Sequence, residues 1–172
     1  MMKYIAYAVI IILVLLLAKI AYKWIQVYQS DDYHQMLSHL YEHTIPTIHV
    51  DSLKKLHAYT LLDCREEAEF NTSHLPNAQY AGFKNFSIDS FRSIHKDDTI
   101  VVYCSVGYRS EKIGEKFISA GYSNVYNLYG GIFEWVNLNN DVIVPEGKDQ
   151  QIHGFSASWK KWITRKINII HD

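Results

Sequence analysis

The chain has 172 residues, with 17 Lys plus Arg against 18 Asp plus Glu and a formal charge of -1. That length suits one compact domain with a core plus one or two appendages, and it argues against a two-domain enzyme. The charge balance leaves no basic footprint for nucleic acid, and 48% hydrophobic residues with only 8 Gly and 3 Pro exclude a disordered or collagen-like chain.

From Tyr4 to Ala18 there is no charged residue, and the run is apolar on every helical face. Extended through Lys19 to Tyr22, such a helix reaches about 28 Å, enough for a hydrocarbon core if Lys19 snorkels. Tyr4 and Tyr7 at one end, and Tyr22, Trp24 and Tyr28 at the other, stand where aromatic belts form. This predicts one transmembrane helix. The rival is a cleaved signal peptide, but Ala18 and Ala21 do not make the small-x-small cleavage pattern.

Ser30-Asp31-Asp32 marks a helix start, and Tyr33, Met36, Leu37, Leu40 and Tyr41 recur at helical spacing up to Ile45-Pro46. Thr47 to Val50 reads as a short strand, Asp51 as the cap of a helix carrying Leu53 and Leu56, and Tyr59 to Leu62 as a buried strand. Glu66 to Phe70 makes a short helix, Asn77 to Tyr80 re-enters the sheet, and Ile88 to Ile94 is helical. Thr99-Ile100-Val101-Val102-Tyr103 is the most apolar strand. A loop follows, then a helix from Ser110 to Ala120 closed by Gly121, a strand Asn124 to Leu128, and a Gly130-Gly131 turn into Ile132 to Leu138. Strands alternating with helices predict an α/β fold whose parallel sheet is flanked by helices. Beyond Pro145, a polar stretch leads to Phe155, Trp159, Trp162, Ile163, Ile167 and Ile170, which fall on one helical stripe interrupted by Lys166. The domains expected are 1–28 for the anchor and juxtamembrane segment, 29–140 for the α/β domain, and 141–172 for a linker and amphipathic tail.

Ligands of such sheets bind beyond the carboxyl ends of the strands. Two segments lie there, Asp63-Cys64-Arg65 and Cys104-Ser105-Val106-Gly107-Tyr108-Arg109-Ser110. In the second, a cysteine precedes a loop with a permissive glycine and winds into a helix start, where a serine supplies the cap. Such a turn aims backbone N–H groups inward as an anion nest, and Arg109 adds a bidentate fork. These surroundings favour the reactive thiolate of Cys104 over an inert buried thiol. Cys64 reads first as a small apolar packer. The sharper alternative makes it a resolving cysteine for Cys104, which requires Cα atoms within about 7 Å.

Leu61 to Phe70, His74-Leu75-Pro76-Asn77-Ala78, the Cys104 loop, and Gly121-Tyr122 through Gly130 to Trp135 resemble the single-domain rhodanese family, in its order and spacing, over about residues 45 to 140. Asn77 stands where the family commonly has Gly. The resemblance implies a rhodanese-like α/β fold and a sulfurtransferase that moves sulfane sulfur as a Cys104 persulfide. By that analogy the amides of Ser105, Val106, Gly107, Tyr108 and Arg109 cradle the persulfide and a small anionic donor, thiosulfate or a persulfide, while Asp63, Arg65 and Ser110 support the pocket. A thiol, cyanide or a protein collects the sulfur, and no metal or organic cofactor takes part. Two other readings differ in class. Phosphatase or arsenate-reductase chemistry uses a loop one residue longer, whereas a membrane-anchored docking module keeps the fold without catalysis. His39 and His43, spaced i, i+4, read as a solvated helix face, and His74 as a structural residue. The tail from Ile152 resembles one that some bacterial rhodaneses carry, which predicts that it docks on the domain ahead of contacting the membrane. A persulfide is easiest to keep in a reducing compartment, so the expected location is the cytoplasmic face of a bacterial inner membrane.

Overall fold

In the computed structural model, which describes residues 2–171, the apolar amino-terminal run forms one helix, α1 (Met2–Gln29). No Gly, Pro, Asn or Asp interrupts this stretch, so the helix continues past Tyr22, where the apolar pattern alone would stop it. Ile10 through Leu17 are each more than half exposed. The helix is long and apolar enough to cross a bilayer. Asp32 ends the break that follows by accepting the Gln35 N–H at 2.8 Å, and α2 (Tyr33–Leu40) begins there. The chain divides into two compact units, Met1–Tyr41 and Glu42–Asp172.

The second unit is built on five strands: β1 (Thr47–Ile48), β2 (Thr60–Asp63), β3 (Ala78–Tyr80), β4 (Thr99–Tyr103) and β5 (Asn124–Leu128). They pair in the order β1-β5-β4-β2-β3, every pair parallel. Helices α3 (Val50–Leu53), α4 (Glu67–Thr72), α5 (Tyr108–Ser119) and α6 (Gly131–Asn137) connect and flank them. The central strand β4 is buried from Ile100 to Tyr103, as its uninterrupted apolar run requires. On one face Leu62, Ile100, Val102, Ile113, Phe117 and Val125 form an apolar cluster.

β1, the segment after Ser87 and the tail also differ from the sequence expectation. β1 stops at Ile48, because Val50 and Leu53 turn inward as an i, i+3 pair and His49, not Asp51, caps the one-turn helix α3. The segment after Ser87 is a single 3-10 turn, Ile88–Phe91, and its apolar spacing of three suits that narrower helix. The tail is not a helix. It forms β6 (Gln151–His153) and β7 (Asn168–Ile170), paired in parallel, with a 3-10 turn at Lys160–Trp162 between them. Its anchors are polar: Gln151 Nε2 donates to Thr72 O at 3.1 Å, Asn137 Nδ2 to Trp162 O at 2.8 Å, and Arg165 pairs with Asp141 at 2.7 Å. The tail therefore packs on α4 and on the segment around α6, burying Ile152 and Trp162.

β4 lies between β5, which the chain reaches next, and β2, which leads the other way to β3. In open parallel sheets ligands bind at such a reversal, which here lies at the carboxyl ends of β4 and β2.

Candidate active site

Cys104 is the first residue after β4, with only 1% of its surface exposed. Its Sγ accepts the Gly107 N–H at 3.1 Å. Gly107 sits at φ 106, a conformation that a side chain disfavours, and it caps α5. The helix thus starts at Tyr108, two residues before Ser110. Ser110 is consequently not the cap that the sequence suggests: its hydroxyl donates to Asn127 Oδ1 at 2.8 Å. Asn127 in turn donates from Nδ2 to Gly107 O at 2.9 Å, tying the loop to β5.

A second tie comes from α6. Ile132 N–H donates to Cys104 O at 2.9 Å and Phe133 N–H to Ser105 O at 3.1 Å, so the amino terminus of α6 holds the first two carbonyls of the loop. Gly131 makes this approach possible. A Cβ there would lie 2.3 Å from Cys104 O, and the residue is at φ 57.

Arg109 is on the first turn of α5, and its fork is already engaged. Nη1 bonds Glu69 Oε2 and Nη2 bonds Glu69 Oε1, both at 2.7 Å, with side chains 12% and 4% exposed. Nη2 also donates to Ser105 Oγ at 3.0 Å, and the Ser105 hydroxyl donates to Glu69 Oε1 at 3.1 Å. Glu69 is positioned by the capping box of α4, where it accepts the Glu66 N–H at 3.0 Å. Burial opposes its charge, but the bonds and field of Arg109 outweigh that and hold its carboxyl below the usual range. Glu69 and Asn127 belong to this network although no motif in the sequence points to them. The spacing of the capping box marks the first only as a helix start, and nothing local marks the second.

Asp63 and Arg65 lie at the end of β2, both 0% exposed. Arg65 Nε bonds Asp63 Oδ1 at 2.9 Å, Nη2 bonds Oδ2 at 2.6 Å, and Nη2 reaches Ser73 O at 2.5 Å. This pair braces the turn from β2 into α4 and the segment up to His74. Tyr103 stands over it, with Arg65 Cζ 5.8 Å from the ring centroid and the Tyr103 hydroxyl accepting Leu75 N–H at 3.0 Å. Cys64, between the two, packs in the apolar cluster with Leu62 and Val102. Burial first, and then the Asp63 charge, push its thiol well above the usual range. Cys64 and Cys104 are both free thiols. Val106 is buried in the loop, and Tyr108, the first residue of α5, is half-buried. His74 Nδ1 lies 3.1 Å from Phe70 O and its ring stacks on Phe70 at 4.1 Å. Among the described residues no three His, Cys, Asp or Glu side chains gather as metal ligands would.

The arrangement places a buried thiol at a strand end, an amide donor on its sulfur, and, bonded to the next residue Ser105, an arginine already paired with Glu69. Residues 49–138 match the family described as Rhodanese-like domain. A sulfurtransferase of Allochromatium vinosum is 33% identical over 87 residues, 51% of this chain and 80% of that protein. Thiosulfate sulfurtransferase GlpE of Pseudomonas fluorescens is 30% identical over 91 residues, 53% of this chain and 82% of that protein. The crystal structure of a rhodanese-related protein from Thermoplasma volcanium superposes with a TM-score of 0.52 at 25% identity, covering 58% of this chain and 99% of that one.

Proposed function

Since this chain belongs to the rhodanese-like domain family, we propose that it is a sulfurtransferase that carries sulfane sulfur on Cys104, from an anionic donor such as thiosulfate or a persulfide to a thiol, cyanide or protein acceptor. The observation that carries this reading is the Gly107 N–H bonded to Cys104 Sγ at the switch point of the sheet. The Cys104 thiolate attacks the outer sulfur of the donor. The new Sγ–S bond forms as the donor's own S–S bond breaks, and its electron pair leaves with sulfite or the donor thiolate. Negative charge on the transferred sulfur falls where the loop amide points. The acceptor then attacks the outer sulfur of the persulfide and restores the Cys104 thiolate.

In this reading Asp63, Arg65 and Ser110 are scaffold. Ser105, Val106, Gly107, Tyr108 and Arg109 form the wall of the site, Cys64 is a packing residue, and neither metal nor organic cofactor participates. Helix α1 anchors the enzyme, residues 29–140 act as the catalytic domain on the cytoplasmic face of a bacterial inner membrane, and residues 141–172 complete the site. The test is steady-state kinetics of thiocyanate formation from thiosulfate and cyanide. Parallel double-reciprocal lines, abolished in Cys104→Ser, are expected of a two-step cycle. A chain that yields no thiocyanate from thiosulfate or from an organic persulfide would instead be a docking module.

A further inference from the structure

The family match ends at residue 138, yet the tail beyond it returns to the site. Arg109 Cζ lies 4.8 Å from the centroid of the Phe155 ring, so the guanidinium that bonds the catalytic loop along its edge, through Ser105, also meets an aromatic ring. Phe155 is at φ 61, an unfavourable conformation for an aromatic residue that only its surroundings can impose. The Phe155 N–H donates to His153 Nδ1 at 3.1 Å, and Gly154 N–H donates to Ile170 O at 2.9 Å. At Gly154 a Cβ would lie 2.5 Å from the His171 ring and 2.8 Å from Ile169. The β6–β7 ribbon therefore fixes the turn that presents this ring. Phe155 remains 46% exposed, with Trp159 edge-on at 6.2 Å.

Two features of this corner concern charge and shape. The cation nearest the loop is matched one to one by Glu69, which leaves little countercharge for a dianion. The exposed ring sets apolar area against the guanidinium that borders the catalytic loop. We propose that Phe155 is a specificity-determining residue of the donor site, selecting sulfur donors with a single negative charge and an organic body, such as thiosulfonates and organic persulfides, over inorganic thiosulfate. This rests on the sulfurtransferase reading above. For a thiosulfonate, the Cys104 thiolate takes the terminal sulfur, the S–S bond to the sulfonyl group breaks, and an organic sulfinate leaves with the electron pair.

The test uses the full chain in detergent, with cyanide as acceptor and benzenethiosulfonate or thiosulfate as donor. It reads the ratio of the two kcat/KM values, in which any inactive fraction cancels. The wild type is expected to favour benzenethiosulfonate. Phe155→Gly removes the ring and suits the positive φ, so the fold is kept. It should lower the ratio about tenfold, the scale of one lost aromatic contact, while Phe155→Leu falls between. A wild type that prefers thiosulfate, or a ratio unmoved in Phe155→Gly, would overturn the proposal. If the wild type turns over neither donor, the sulfurtransferase reading itself fails and takes this one with it.

Discussion

Replacing Asp63 by Asn should reveal how much of the site's rigidity rests on one buried ion pair. The Asp63 carboxylate receives Arg65 through its backbone N–H at 3.0 Å, Nε at 2.9 Å and Nη2 at 2.6 Å, with both side chains 0% exposed. Arg65 Nη1 already makes no hydrogen bond among the described residues, so the guanidinium has no spare partner to absorb the loss. Asn keeps the shape and one acceptor oxygen, but it leaves the charge of Arg65 buried and uncompensated. The cost of breaking such a pair is about 3–5 kcal/mol, a large part of an ordinary domain's stability of about 5–15 kcal/mol. With a urea slope of about 2 kcal/mol per molar, the unfolding midpoint should fall by about 2 M. Urea titration followed by tryptophan fluorescence measures it. The double variant Asp63→Leu with Arg65→Met removes both charges, and it should lose clearly less than Asp63→Asn. A loss under about 1 kcal/mol in Asp63→Asn, or a double variant worse than the single one, would refute the claim that this pair is a dry brace.

Three other outcomes are expected. Glu69→Gln should cost about 2–3 kcal/mol at neutral pH, because it unpairs Arg109. The folded carboxyl of Glu69 titrates below its unfolded value of about 4.3, so this contribution is full above that pH and lost as pH falls through the folded value. Wild type and Glu69→Gln should therefore converge in stability in acid, and a difference that persists there would contradict the pairing. Gly131→Ala forces a Cβ onto the Cys104 carbonyl and should lower Tm by about 10 °C, whereas Gly121→Ala, at φ 89 with open space around it, should lower it by only about 3 °C. Equal shifts in calorimetry would show that the α6 turn is not in close contact with the loop. If α1 anchors the chain, alkaline washing should leave the full-length protein in the membrane pellet; a shortened soluble product would identify a removed signal sequence instead.

Strand β4 was legible because its apolar run follows Asp97-Asp98, and β5 because Val125, Tyr126 and Leu128 follow the helix end at Gly121. The Cys104 loop was legible because cysteine, glycine and arginine fall where a strand must turn into a helix. Ser110 reads as a cap in the sequence, since a serine near a helix start looks the same whether it serves its own backbone or a neighbouring strand. Only the fold brings Asn127 to it. Glu69 meets Arg109 across 40 residues of sequence, a separation that no periodicity encodes. In the tail, the spacing of Phe155, Trp159, Trp162 and Ile163 fits a helical stripe. Gly154 and the run Asn168-Ile169-Ile170 favour extended chain, and the hydrogen bonds of Asn137 to Trp162 and Thr164 settle the competition between those local preferences.

The central claim is that sulfur rides on Cys104, and intact-protein mass spectrometry followed by peptide mapping tests it most directly. After incubation with benzenethiosulfonate and removal of excess donor, the wild-type chain should be heavier by one sulfur atom, with the gain mapped to the Cys104 peptide. Cyanide should remove that gain, and Cys104→Ser should never acquire it. Sulfur found on Cys64, or a chain whose mass does not change with any donor, would contradict the account.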